Sequence, residues 1–293
     1  MKNSITLLTI LLVSAYSCSL PYLGENITKK DGQYENSAWH GPFEDQEVEP
    51  PDAKGQIWDL EGFFMNGNDL SLVGGFDFEN GKQDPWRSGT DNLYTSGDIF
   101  IGEAGSVLYG APAGPATTGY NTMDNVFGYE WAVDLDFENS EYHVFSLDKE
   151  TDVITAYFKE NRPSNPFQLA SNDPSDAVFS GTFDYISGLT DAEIVTMGDN
   201  SAFLSDPDNA NYYSAYNNNP SEYYSQTHNV ITGIDLGFLP DGYEFLAHFT
   251  MGCGNDNIIG VSQVPEPGSL SLLSMGLFFL AGSLYLRKRK KRS

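Results

Sequence analysis

Between Tyr129 and Glu138 the chain alternates without a break. Tyr129, Trp131, Val133, Leu135 and Phe137 take one set of positions; Glu130, Ala132, Asp134, Asp136 and Glu138 take the other. Successive side chains of a strand point to opposite faces, so this period of two predicts a strand with one buried face and one wet, acidic face. The pattern returns at Val230, Thr232, Ile234, Leu236 and Phe238, and again at Phe245, Ala247, Phe249 and Met251. Leu239-Pro240-Asp241-Gly242-Tyr243 lies between these two runs, with proline and glycine where a hairpin turn needs them. Further strands are expected at Trp58–Met65, Leu70–Phe78, Asp98–Ile101, Tyr142–Leu147 and Val153–Phe158. Helix signals are few: Thr190 followed by Glu193 forms a capping box opening a short helix through about Met197. Short strands separated by Gly- and Asn-rich turns predict an all-β domain over residues 55–262, an antiparallel β-sandwich or jelly roll. Residues 20–54, polar and acidic with Pro50-Pro51 near the end, read as a flexible arm, and Asp199 to Gln226 as a long surface loop.

The 293 residues include 19 Phe, 17 Tyr and 4 Trp, enough to fill a core. Fifteen Lys and Arg stand against 41 Asp and Glu, a net charge of −26, which excludes a nucleic-acid partner because phosphate binding needs basic surface. The 2 cysteines exclude a disulfide scaffold and a zinc ribbon.

That charge is unevenly placed, and both ends read as addresses. Residues 1–19 begin with Lys2, continue through the apolar run Ile5 to Val13 and end in small residues, the parts of a secretory signal peptide. Cleavage fits after Ser17 or Ser19; a cut before Cys18 would instead leave a lipid-bearing cysteine, to which Tyr16 is poorly suited. At the other end come Pro265, Glu266 and Pro267, then an uncharged stretch from Leu270 to Leu286, then Arg287, Lys288, Arg289, Lys290, Lys291 and Arg292. Seventeen helical residues rise about 25 Å, just enough to cross a thin inner membrane, and six cations in a row would hold the tail in the cytoplasm. Everything between the two ends would then lie outside. Without its ends, over residues 20–264, the chain holds 8 Lys and Arg against 40 Asp and Glu, a net −32. Such a chain repels anionic polymers unless cations intervene.

The three-part tail of residues 264–293 resembles the PEP-CTERM sorting signal: the motif Pro265, Glu266, Pro267, one apolar helix, and the basic cluster Arg287 to Arg292. The resemblance implies an exosortase-like membrane enzyme as processing partner, an inner-membrane intermediate, and final placement at the cell surface or outside it. The motif residues would be that enzyme's substrate. The segments Gly97 to Ile101, Val133 to Phe137, His228 to Phe238 and His248 to Asn257 are similar to the body of exosortase-dependent surface proteins. That likeness implies export and no reaction, and the sorting resemblance supplies a link to exopolysaccharide as a partner.

No residue pattern assigns catalysis. There is no G-x-G-x-x-G, H-E-x-x-H or G-x-S-x-G, and Gly75 to Lys82 is one residue too long for a P-loop. His40, His143, His228 and His248 lack metal-ligand spacing, though His228 and His248 would meet if their strands paired. Calcium is the one cofactor the turns suit: Asp77/Glu79/Asn80, Asp148/Glu150/Asp152, Asp206/Asp208 and Asn255/Asp256/Asn257 are oxygen-rich and closely spaced. The same residues serve ordinary turns by bonding their own backbone, so both readings stand. The ladder Asp134, Asp136, Glu138 either holds a cation or forms a solvated face. Tyr212, Tyr213, Tyr216, Tyr223 and Tyr224 could stack on sugar rings or pack their loop down. A lone Cys253 is expected to be buried. The expectation is therefore a non-enzymatic, exported protein with a structural or adhesive role toward exopolysaccharide, with calcium assisting. Its alternatives are a secreted carbohydrate-active hydrolase using a carboxylate pair, and a tail-anchored periplasmic protein.

Overall fold

The computed structural model describes residues 20–29, 56–83, 93–108, 119–157, 164–198, 227–254 and 256–266. The signal peptide, most of the arm, the 199–226 loop with its tyrosines, His40, Asp206, Asp208, Pro267, the apolar stretch and the basic tail lie outside them.

In chain order the strands are β1 (Glu25–Asn26), β2 (Leu60–Asn66), β3 (Asp69–Gly74), β4 (Lys82–Gln83), β5 (Leu93–Tyr94), β6 (Ile99–Glu103), β7 (Thr122–Asp124) and β8 (Trp131–Asp136). There follow β9 (Glu141–Ser146), β10 (Asp152–Ile154), β11 (Gln168–Leu169), β12 (Phe179–Thr182), β13 (Asp184–Thr190), β14 (Thr227–Asp235), β15 (Glu244–Thr250) and β16 (Asn257–Gln263). One short helix, α1 (Asp191–Thr196), begins where expected: the Glu193 carboxylate accepts from both the backbone N–H and the hydroxyl of Thr190, at 2.8 and 2.7 Å. The fold is all-β, and every pairing between these strands is antiparallel.

Two sheets carry the core. One has the order β1-β2-β3-β14-β13, the other β12-β9-β8-β6-β15-β16. Phe63, Leu72 and Ile231 of the first face Ile101, Val133, Val144 and Phe249 of the second in one buried cluster. Removing such side chains from water is the main favourable term in the fold. The segment after β1 stitches the two sheets along one side: Ile27 N–H donates to Phe63 O of β2, while Val261 N–H of β16 donates to Ile27 O, each at 2.9 Å. Residues 20–29, expected as the start of a loose arm, are thus built into the core, with Leu23 and Ile27 buried. At this seam β16 passes so close that a Cβ on Gly260 would sit 2.9 Å from Phe63 Cβ.

Two further expectations change. The turn at Leu239 to Tyr243 forms, with Gly242 at φ +72, but it joins strands of opposite sheets. β14 and β15 therefore make a corner over the core rather than a hairpin. Both strands alternate because both bury one face in the same core, and alternation is the same for either connection. The second change concerns the outer face of the six-stranded sheet, which is only partly wet. A three-stranded overlay, β11-β10-β7, covers its middle. Phe100, Ala132, Phe145, Leu246 and Ile259 pack there with Val153 and Leu169 of the overlay. Burial on both faces accounts for the continuous apolar runs at Ile99 to Ile101 and Phe245 to Ala247.

Candidate functional site

The sorting motif begins at the rim of the folded domain. β16 ends at Gln263, and the next residue, Val264, is only 1% exposed. Its N–H donates to Tyr243 O and its carbonyl accepts from Gly242 N–H, both at 3.0 Å, while Gln263 Nε2 donates to Gly242 O at 2.8 Å. Pro265 and Glu266 follow at once, and both are exposed. The corner that holds Val264 is itself fixed: Tyr243 meets the Trp131 ring edge-on at 5.4 Å, and its hydroxyl donates to Glu130. Burial, then that carboxylate, pushes the Tyr243 hydroxyl well above the usual tyrosine range. No linker separates the last core residue from the motif.

A second polar arrangement crosses the outer face of the six-stranded sheet. Pairing of Ile99 with Val133 sets Asp98 opposite Asp134; β8–β9 register sets Asp134 opposite His143, and β9–β12 register sets His143 opposite Ser180. His143 Nδ1 lies 2.9 Å from Ser180 Oγ. Asp98 is buried, at 3% exposure, and faces Asp134 across the β6–β8 pair. Leu169 N–H also donates to Asp98 Oδ2 at 2.7 Å, and Asn172 Nδ2 donates to Asp134 Oδ1 at 2.8 Å. Burial raises Asp98 well above the ordinary carboxylate range and the neighbouring Asp134 charge adds to it; burial raises Asp134 too, with the Asn172 bond opposing. The expected ladder is therefore divided: Asp134 belongs to this pair, Asp136 accepts from Asn139 N–H and Nδ2 at 3.2 and 2.7 Å, and Glu138 is exposed. Asp98 was absent from the candidates. Its signal was a lone acid heading the apolar run Ile99-Phe100-Ile101.

The histidines are kept apart. β14 and β15 lie in different sheets, so His228 and His248 do not meet. His228 Nδ1 instead sits 2.7 Å from both carboxylate oxygens of Glu61, with both residues buried. His248 is wholly buried in the interior of the second sheet, beside the Tyr129 ring at 5.8 Å. Sequence reasoning missed Glu61, an acid inside the apolar run Leu60 to Met65, placed where the pairing of β2 with β3 shifts register.

The oxygen-rich turns use their oxygens locally. Asp77 accepts from Asn80 N–H and from the Tyr185 hydroxyl, both at 3.0 Å. Asp148 Oδ1 accepts from Glu150 N–H and the Thr151 hydroxyl. Asp256 is buried and joins the two sheets, Oδ2 accepting from Leu60 N–H at 2.6 Å and Oδ1 from Asn257 N–H at 2.8 Å. Among the described residues no three His, Cys, Asp or Glu side chains come together to hold a metal ion. Cys253 is buried in the main core. Among the described residues no helix is long and apolar enough to cross a membrane.

With this geometry in place, the C-terminal segment is identified. Residues 263–290 match the family model of the PEP-CTERM protein-sorting motif, a span holding Pro265, Glu266, Pro267 and the start of the basic cluster, Arg287 to Lys290. The chain carries a PEP-CTERM sorting domain. That motif implies processing by an exosortase-type membrane enzyme, and hence export to the cell surface or beyond. No curated protein and no solved structure matches the chain.

Proposed function

We propose that this protein is a non-enzymatic component of the cell surface or extracellular matrix, led out by its signal peptide and held at the inner membrane by the helix Leu270 to Leu286 until the sorting enzyme acts. Its folded domain then serves a structural or adhesive role toward exopolysaccharide. The sorting motif joined without a spacer to the domain carries this reading, because the domain is what such a motif delivers. The net −32 of residues 20–264 gives calcium its part: divalent ions would screen the repulsion between this chain and an anionic polymer. Calcium here bridges surface carboxylates; among the described residues no three acids come together to hold an ion.

A second reading rests on the Asp98–Asp134 pair. Two facing carboxyls resemble the acid and base of a hydrolase. Asp98 is covered by the overlay, however, and a general acid must come within hydrogen-bond reach of the bond it cleaves. The covered pair therefore favours the structural role.

One tube tests both readings. The protein is incubated with exopolysaccharide from the producing cells, with calcium or with a chelator, and the polymer is sedimented. Retention with calcium, loss with the chelator and no new reducing ends is the expected result. New reducing ends that disappear in Asp134→Asn would establish the hydrolase instead. Absence of retention in both tubes would overturn the adhesive role.

A further inference from the structure

The Asp98–Asp134 pair lies where two layers meet, and its contacts are those of a fastening. From the sheet below come the two carboxyls. From the overlay above come Leu169 N–H onto Asp98 and Asn172 Nδ2 onto Asp134, while Asp98 N–H returns a bond to Phe167 O at 2.9 Å. The strap Phe167 to Asn172 is thus tied to the sheet through this pair at three points. It is also tied to the overlay by the pairing of Val153 with Leu169 and Ile154 with Gln168, and by bonds from Phe167 N–H to Ile154 O at 2.8 Å and from Ala170 N–H to Asp152 O at 3.1 Å, while Gln168 Nε2 donates to Ser96 O at 2.9 Å.

We propose that the Asp98–Asp134 pair is a proton-operated latch, holding the strap Phe167 to Asn172 on the sheet while the two carboxyls share a proton and loosening it once both are ionised. Two carboxylates are acceptors only, so a hydrogen bond between them requires one proton. When it leaves, two like charges face each other in a site with little water, and separation of the layers relieves them. On the sheet, the neighbouring titratable groups are His143, opposite Asp134 and bonded to Ser180, and Asp136, tied to Asn139. From β15 the neighbours are Thr250, uncharged, whose carbonyl accepts from Gly97 N–H, and the buried His248, which pairs with Phe100 two residues along the same face. The overlay and the turn after it contribute Asp124, Asp152, Asp173 and Asp176, all acids and all exposed.

The direction follows from the raised position of Asp98. The folded form binds the proton more tightly than an unfolded chain, whose aspartate titrates near 3.8. The latch is therefore fully closed below that pH and is lost as pH rises through the raised folded value. This inference is independent of the sorting and adhesion readings.

Hydrogen exchange read by mass spectrometry on the protein purified from its producing cells tests it, from about pH 4 to about pH 9, each rate divided by the intrinsic rate at that pH. Peptides covering 167–172 should lose protection by about tenfold or more across the range, while peptides covering 244–250 keep theirs. Asp98→Asn should hold the strap at every pH, because its amide still accepts from Leu169 N–H and donates to the Asp134 carboxylate. Should that variant not fold, Asp134→Asn makes the same exchange from the other side. Constant strap protection in the unaltered protein would overturn the latch. So would an undiminished pH response in the variants, or loss of strap and β15 protection together.

Discussion

His228 Nδ1 lies 2.7 Å from both carboxylate oxygens of Glu61, with both residues buried in the five-stranded sheet. His228 sits on β14 and Glu61 on β2, with β3 between them. The pair reaches across the end of β3, where Gly74 pairs with Leu60 on one side and with Asn229 on the other. Removing one member of such a buried pair strands the other. Glu61→Ala is expected to lower unfolding free energy by about 3–5 kcal/mol. Replacing both residues with leucine should cost less than that single change, as a comparison of urea midpoints would show.

Asp256 gives a second, independent staple, accepting Leu60 N–H from the opposite sheet at 2.6 Å. Asp256→Ala leaves that buried N–H without its acceptor, at an expected cost of about 1–3 kcal/mol. Calcium should not raise the midpoint of the unaltered protein through this residue, because the aspartate works through backbone bonds. A calcium-dependent rise that Asp256→Ala abolishes would mark a metal site at the Asp256 turn.

Val264 fastens the sorting motif to the domain. Val264→Asp places a charge at a buried position and should cost several kcal/mol, lowering the thermal midpoint. A short Gly-Ser spacer between Val264 and Pro265 leaves the bonds to Gly242 and Tyr243 intact, so the midpoint should stay unchanged. Because the motif abuts the fold, the spacer should also raise the processed fraction in cells, measured by gel shift. A lower processed fraction would mean that the rim of the domain assists the enzyme.

How far the sequence reveals this molecule depends on where each strand's energy comes from. β8, β14 and β15 carry regular alternation because each buries one face in the main core, and all three were legible. β14 begins at Thr227, three residues before the expected start, because His228 and Asn229 satisfy their polar groups inside: Asn229 Nδ2 donates to Gly75 O and Phe76 O at 3.2 and 2.9 Å. β12 and β13 were not legible. Both are edge strands of mixed burial, with glycine and serine within them, held largely by backbone pairing that any sequence can make. β1, β7 and β11, only two or three residues each, are too short for any period to register. The sorting motif was fully legible, since recognition by another protein requires it in linear order. The Asp98–Asp134 and Glu61–His228 pairs were not, because each joins residues 36 or more positions apart whose meeting is set by strand register alone.

The chain is expected to be processed at its sorting motif and released outward. Intact-mass measurement of the protein recovered from the cell surface and medium decides this. A C-terminus that lacks Arg287 to Arg292 and lies between Val264 and Leu286 is the predicted result. Surface or medium protein that still carries the six-residue basic tail would contradict processing, and the same protein found only in the membrane fraction would identify a permanent tail anchor.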